Sequence, residues 1–201
     1  MNSSTTIERS KLLLVEGKDE ENFFKKLLKK LSINDVQIIG VGGVEHFKVD
    51  LPSLVRMRGF NTVTSIGIVQ DADTNCINRF TSIKATLSTN NLPAPNNLIS
   101  FTSTNPRVGV FIMPNNYSKG MLETLCLSSL VSDIKYDCVN NLFECLDKNG
   151  VAIRNIDKAK CLAYLSTQDR IVNSLGLAAQ KEYWDFDSPV FTPIKDFLNT
   201  I

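Results

Sequence analysis

Short apolar runs of strand length alternate along the chain with segments whose apolar residues recur every three or four positions. The runs cover residues 12–15, 36–41 and 62–69, and a helical pattern follows each of them. An unbroken apolar run is typical of a strand that helices cover on both faces. The alternation therefore predicts an α/β fold, in which helices flank a mostly parallel sheet of four or five strands.

Two further strands are predicted at residues 98–101 and 107–113, and a turn at residues 104–106 predicts that they form a hairpin at the edge of the sheet. Beyond residue 130 the pattern is helical, and no segment rich in glycine or serine marks a linker. We therefore expect an α/β domain over residues 1–130 and a helical C-terminal extension over residues 131–201 that packs on it.

Acidic residues stand where two of the predicted strands end. Glu16 follows the first strand, and Asp71 and Asp73 follow the third. The carboxyl ends of neighbouring strands in an open α/β sheet form a crevice, so the three side chains are expected to meet there. Carboxylates that lie close together raise each other's pKa unless a cation separates them. Mg²⁺ is the simplest such cation because it takes oxygen ligands, and Mn²⁺ accepts the same ligands. Asp73 also suits a turn that closes the strand and caps the next helix.

The same residues carry a resemblance to a known family. Residues 13–17, which end in Glu16 and Gly17, together with Asp71 and Asp73 after a later strand, resemble the Toprim domain of topoisomerases, bacterial primases and nucleases of the overcoming-lysogenization-defect type. The resemblance covers roughly residues 8–125. The whole chain also resembles a small Toprim-like bacterial family. The resemblance implies a Rossmann-like sheet, with Glu16 as acid, base or metal ligand and with Asp71 and Asp73 as metal ligands.

The nuclease branch of that family implies further candidates. An acid shortly after the first one completes a two-metal site in these nucleases, and Asp19 or Glu20 can supply it, although Asp19 also suits a helix start. Glu123 resembles their downstream acid and equally suits the first turn of a helix. These nucleases also use a late lysine to neutralise charge on the phosphate. We take Lys160 as its counterpart, while Lys158 stays equally open.

The function that the resemblance implies is metal-dependent hydrolysis of phosphodiester bonds in nucleic acid. Hydrolysis is preferred over strand passage or polymerisation because the chain lacks the extra domains that topoisomerases and primases need. Two alternatives remain. One is a Toprim-like module that binds nucleic acid or a partner protein without turnover. The other is a phosphatase of the haloacid dehalogenase type, because residues 71–74 also resemble the nucleophile motif of that family.

Composition limits these functions only in part. The 201 residues carry a net charge of +1, so nucleic acid as a partner rests on the resemblance, and a homo-oligomer or a partner protein stays open. Five cysteines without a Cys-x-x-Cys pair argue against a zinc site and a disulfide framework. Without a long apolar stretch or an apolar leader, we expect a cytoplasmic protein that does not cross a membrane.

Overall fold

A computed structural model of the protein describes residues 6–98 and 100–201. Within these ranges the chain forms a four-stranded sheet and eight α-helices. The strands are β1 (Lys11–Val15), β2 (Val36–Gly40), β3 (Ser65–Asp71) and β4 (Arg107–Met113). The helices are α1 (Lys18–Lys30), α2 (Val44–Val55), α3 (Cys76–Thr89), α4 (Leu122–Ser128), α5 (Ile134–Lys148), α6 (Ile156–Ser166), α7 (Leu175–Gln180) and α8 (Thr192–Thr200).

The sheet is parallel throughout, with the strand order β2-β1-β3-β4. Lys11 of β1 lies opposite Val36 of β2 and Ser65 of β3, and Ser65 lies opposite Arg107 of β4. The three helical crossovers that parallel pairing requires contain α1, α2 and α3. The predicted α/β fold, with a parallel sheet flanked by helices and a helical C-terminal part, is confirmed.

The two faces of the sheet belong to two separate apolar clusters. Leu12 and Leu14 of β1 point towards α2 and α3, whereas Leu13 and Val15 point towards α1 and the helices that follow β4. Successive side chains of a strand point to opposite faces. Both faces are covered, so consecutive residues of β1 must all be apolar, and this accounts for the unbroken runs in the sequence.

The predicted hairpin is wrong. β4 pairs in parallel with β3, and residues 100–106 form no strand. The segment before β4 is apolar for another reason: the Phe101 ring lies against Gly109 of β4, where a Cβ atom would come within 2.5 Å of the ring. Phe101 also stacks on Phe197 of α8, with the ring centroids 5.3 Å apart. Side-chain packing and the hydrogen bonds between Thr102 and Val108 therefore place this segment at the edge of the sheet, although it forms no strand.

The C-terminal helices share one apolar cluster with the sheet. Trp184, Phe186 and Phe191 are buried together with residues of β1, β3 and β4. Ile201 lies under the middle of the sheet, where a Cβ at Gly67 would come within 2.5 Å of its side chain. The domain boundary near residue 130 stays a prediction. Among the described residues, no helix is both long enough and apolar enough to cross a membrane.

Candidate functional site

The carboxyl edge of the sheet joins Glu16 and Asp71 directly. Glu16 is the first residue after β1, and its Oε1 accepts a hydrogen bond from the backbone N–H of Asp71 at 3.2 Å. Asp71 ends β3, and its Oδ1 accepts from the backbone N–H of Leu122 at 3.0 Å, at the start of α4. The other Glu16 oxygen faces Gly43 at the start of α2, where a Cβ would lie 3.4 Å away. The strand ends therefore bring these two acids together.

Burial and like charge act on both carboxyls. Burial is the main cause that raises the pKa of Glu16 to about 6, and the backbone N–H of Asp71 and the charge of Arg79 oppose it. Burial also raises the pKa of Asp71 well above its usual range, and the negative charges of Glu16, Glu20 and Glu123 add to the effect. At this edge of the sheet the surroundings therefore disfavour the charged form of both carboxyls.

Glu20 and Glu123 complete this group of acids. Glu20 lies in the first turn of α1 and Glu123 in the first turn of α4, and burial raises the pKa of each. Gly17 leaves room for the Glu20 carboxylate, because a Cβ there would lie 3.1 Å from Oε2. The positive charge of Lys158 lowers the pKa of both glutamates. From here on, Glu16, Glu20, Asp71 and Glu123 are called the acidic cluster.

Asp19 has a different partner. Its two carboxylate oxygens accept hydrogen bonds from the backbone N–H groups of Leu175 and Gly176, at 2.9 and 2.6 Å. These N–H groups belong to the first turn of α7, which has no intrahelical acceptor for them. Asp19 therefore ties α1 to α7. A Cβ at Gly176 would come within 2.5 Å of the Asp19 backbone oxygen, so only glycine lets the two helices approach this closely.

Asp73 lies beside the acidic cluster but binds an arginine. Its backbone has a φ of +50°, in the left-handed region, and exchanges two hydrogen bonds with Gly120. Its carboxylate forms an ion pair with Arg79 of α3. Sequence reasoning missed Arg79, which is one polar residue in an amphipathic helix. The Arg79 side chain is only 8% exposed, and its Nη1 has no hydrogen-bond partner within residues 6–98 and 100–201.

The two candidate lysines of α6 have different surroundings. The Lys160 ammonium donates to the side-chain oxygen of Asn140 at 2.8 Å and lies 6.0 Å from the centroid of the Phe143 ring. Lys158 is exposed, and its charge acts on Glu20 and Glu123. The sequence could not rank these lysines, because the way in which α6 packs decides which side chain is directed towards the acids.

The donors at the site suit a hard divalent cation. Every member of the acidic cluster offers carboxylate oxygens, the ligands that Mg²⁺ and Mn²⁺ prefer. Among the described residues, no group of three or more His, Cys, Asp or Glu side chains is arranged as a ready metal site. A cation at this edge would therefore have one or two carboxylate ligands, with water and a substrate phosphate in the rest of its shell, a coordination that is common for Mg²⁺.

Two of three comparisons with known proteins find similar ones. A family model described as "Protein of unknown function (DUF3226)" matches residues 10–201. The crystal structure of the hypothetical protein PH0156 from Pyrococcus horikoshii OT3 is similar, with a TM-score of 0.56 and 17% identity over 96% of this chain and 95% of that one. The C-terminal region of the Xanthomonas campestris pv. campestris OLD protein has a TM-score of 0.40 and 14% identity, over 87% and 77% of the two chains. No curated protein gives a significant match.

Proposed function

This chain belongs to the DUF3226 family, and we propose that it is a Toprim-type, metal-dependent phosphodiesterase that hydrolyses nucleic acid. The observation that carries the proposal is the acidic cluster, in which burial raises the pKa of all four carboxyls and repulsion within the cluster raises it further at Glu16, Asp71 and Glu123. Partly buried acids that repel one another destabilise a fold, and they are typical of sites where the surroundings tune chemistry. Two members, Glu16 and Asp71, stand at strand ends in the order that the Toprim resemblance requires, and this supports the resemblance.

Each residue has a distinct task in this proposal. Glu16 and Asp71 supply oxygen ligands, and Glu20 and Glu123 supply further negative charge beside them. A divalent cation, when bound, polarises the scissile phosphate and lowers the pKa of an attacking water. In the absence of a cation, Glu16, with a pKa of about 6, can take up or release a proton close to neutral pH. Lys158 faces Glu20 and Glu123, so it is better placed than Lys160 to neutralise charge on a phosphate.

Calorimetric titration with Mg²⁺ and with Mn²⁺, paired with cleavage assays on plasmid DNA and on RNA, tests the proposal. We expect wild type to bind metal, Asp71→Asn to lose at least tenfold in affinity, and cleavage to follow metal occupancy. Asn keeps the acceptor for the Leu122 N–H, so the fold should survive this change. Glu144→Gln is the matched control, because it removes an exposed acid from α5. Absence of metal binding in wild type would contradict the metal-dependent mechanism.

A binding module without turnover is the second candidate. It is favoured by the partners of Asp19 and Asp73, because α7 occupies the first carboxylate and Arg79 the second. Fluorescence anisotropy with labelled single- and double-stranded oligonucleotides separates the two candidates. If the protein is a binding module, wild type and Glu16→Gln bind the oligonucleotide with the same affinity, and neither cleaves it at any metal concentration. If it is a phosphodiesterase, wild type cleaves the oligonucleotide and Glu16→Gln does not.

A further inference from the structure

The ion pair between Asp73 and Arg79 has two unequal partners. The Asp73 side chain is 55% exposed, whereas that of Arg79 is 8% exposed. Arg79 is therefore fixed in its place, and the Asp73 carboxylate is the partner with room to turn. The backbone of Asp73 is held by the two hydrogen bonds to Gly120, so only its side-chain torsions can change.

Packing alone does not explain the position of Arg79. A buried guanidinium needs acceptors for its N–H groups, and an unpaired buried donor costs about 1–3 kcal/mol. Nη1 has no acceptor within the described part of the chain, and Asp73 is the acceptor for Nη2. The positive charge also acts on Glu16, whose pKa it lowers. Arg79 thus acts on the acidic cluster through its charge, while its ion pair is with Asp73, an acid outside the cluster.

Asp73 lies beside the acidic cluster, two residues after Asp71 at the end of β3. Its negative charge raises the pKa of both Glu16 and Asp71. A carboxylate cannot give the same oxygen lone pairs to a guanidinium and to a metal ion at once. While the ion pair is formed, the number of ligands at the edge of the sheet is reduced.

We propose that Arg79 is a positioning residue that holds Asp73 away from the acidic cluster, so that a divalent cation must compete with Arg79 for the Asp73 carboxylate. The inference rests on the metal site of the proposed function. Only molecules in which Asp73 is free of Arg79 can use its carboxylate as a metal ligand. The apparent dissociation constant for the metal is therefore the intrinsic one divided by the fraction of such molecules. Removing Arg79 frees Asp73 and raises that affinity.

The experiment is a calorimetric titration of the metal-free protein with Mn²⁺ in a buffer without phosphate. We expect Arg79→Gln to lower the dissociation constant at least about fivefold, equivalent to about 1 kcal/mol. Lys84→Gln is the matched control, since it removes one positive charge from the same helix, and it should leave the constant nearly unchanged. Arg79→Lys keeps a cation without the planar guanidinium and should fall between wild type and Arg79→Gln. It also replaces Arg79→Gln if that variant does not fold.

A double-variant cycle separates the ion pair from simple charge repulsion. In the Asp73→Asn background, Arg79→Gln should no longer raise the affinity, because no carboxylate remains to be freed. A gain that persists in this background would mean that Arg79 only repels the cation, and the proposal would be overturned. Metal binding by wild type with no gain in Arg79→Gln or Arg79→Lys would overturn it too. If neither wild type nor any variant binds Mn²⁺, both the proposed metal-dependent function and this role of Arg79 are wrong.

Discussion

Replacing Glu16 with glutamine should make the metal-free protein more stable at neutral pH, although it removes the residue that we place at the centre of the site. The glutamine side chain keeps an oxygen that can accept the Asp71 N–H. It removes the charge that burial penalises and that Glu20 and Asp73 repel. A stabilising substitution at this position is expected only if function, not folding, accounts for the glutamate.

The magnitude follows from the pKa of Glu16, which rises from 4.5 to about 6 on folding. Between these values the folded protein keeps a proton that the unfolded chain releases, so the free energy of unfolding falls as the pH rises through this window. Above about pH 6 the charged carboxylate destabilises the fold by about 2 kcal/mol, at about 1.4 kcal/mol for each pH unit between the two values. Below pH 4.5 this contribution is absent.

Urea denaturation in the presence of a chelator measures the effect. At pH 7.5 we expect Glu16→Gln to raise the free energy of unfolding by about 2 kcal/mol, or the melting temperature by about 4–8 °C for a chain of this size. At pH 4.5 the two proteins should differ much less. The control Glu144→Gln should change the free energy by less than about 0.5 kcal/mol at both pH values. An equal gain at both pH values, or a loss at pH 7.5, would refute the explanation from buried charge.

Three further outcomes are expected. Gly176→Ala should lower the free energy of unfolding by about 1–3 kcal/mol in urea denaturation, because its Cβ would overlap the Asp19 backbone oxygen; an unchanged midpoint would contradict the close approach of α1 and α7. Lys158→Gln should slow cleavage about 10- to 100-fold in single-turnover assays, whereas Lys160→Gln should mainly reduce stability, and the reverse order would restore Lys160 as the phosphate-binding lysine. Mg²⁺ at 100 times its dissociation constant should stabilise wild type by about 2.7 kcal/mol and Asp71→Asn far less, as thermal melts would show.

Local pattern was enough to predict most of the fold. Strands that are covered on both faces must be apolar throughout, so their runs stand out, and each of the predicted strands at 12–15, 36–41 and 62–69 overlaps an observed one. The hairpin failed because Phe101 is apolar for packing on Gly109, and a short apolar segment looks the same whether it pairs or packs. The short helix α7 carries too few residues for a periodic pattern, so it could not be recognised in advance.

The site was predictable where the chain positions a residue directly. Glu16 and Asp71 stand at strand ends, and the parallel sheet brings strand ends together. The partners of Asp19 lie 156 and 157 residues away in sequence, so no local signal could indicate them. Arg79 is six residues from Asp73, but their contact requires a left-handed residue and a particular start of α3. Contacts of this kind follow from tertiary structure and not from spacing.

The bond between Asp19 and α7 also has a consequence for synthesis on the ribosome. The two ends of this contact are separated by 156 residues, and the Phe23 ring of α1 packs against Phe186 and Phe191 still further along the chain. At about 5–20 residues per second, roughly 8–30 s pass between the synthesis of α1 and the synthesis of α7 and the residues after it. During this time the part of the apolar face of α1 that these late residues cover is exposed to other chains. This part of α1 is therefore the surface on which a chaperone can bind the new chain until the C-terminal helices are made.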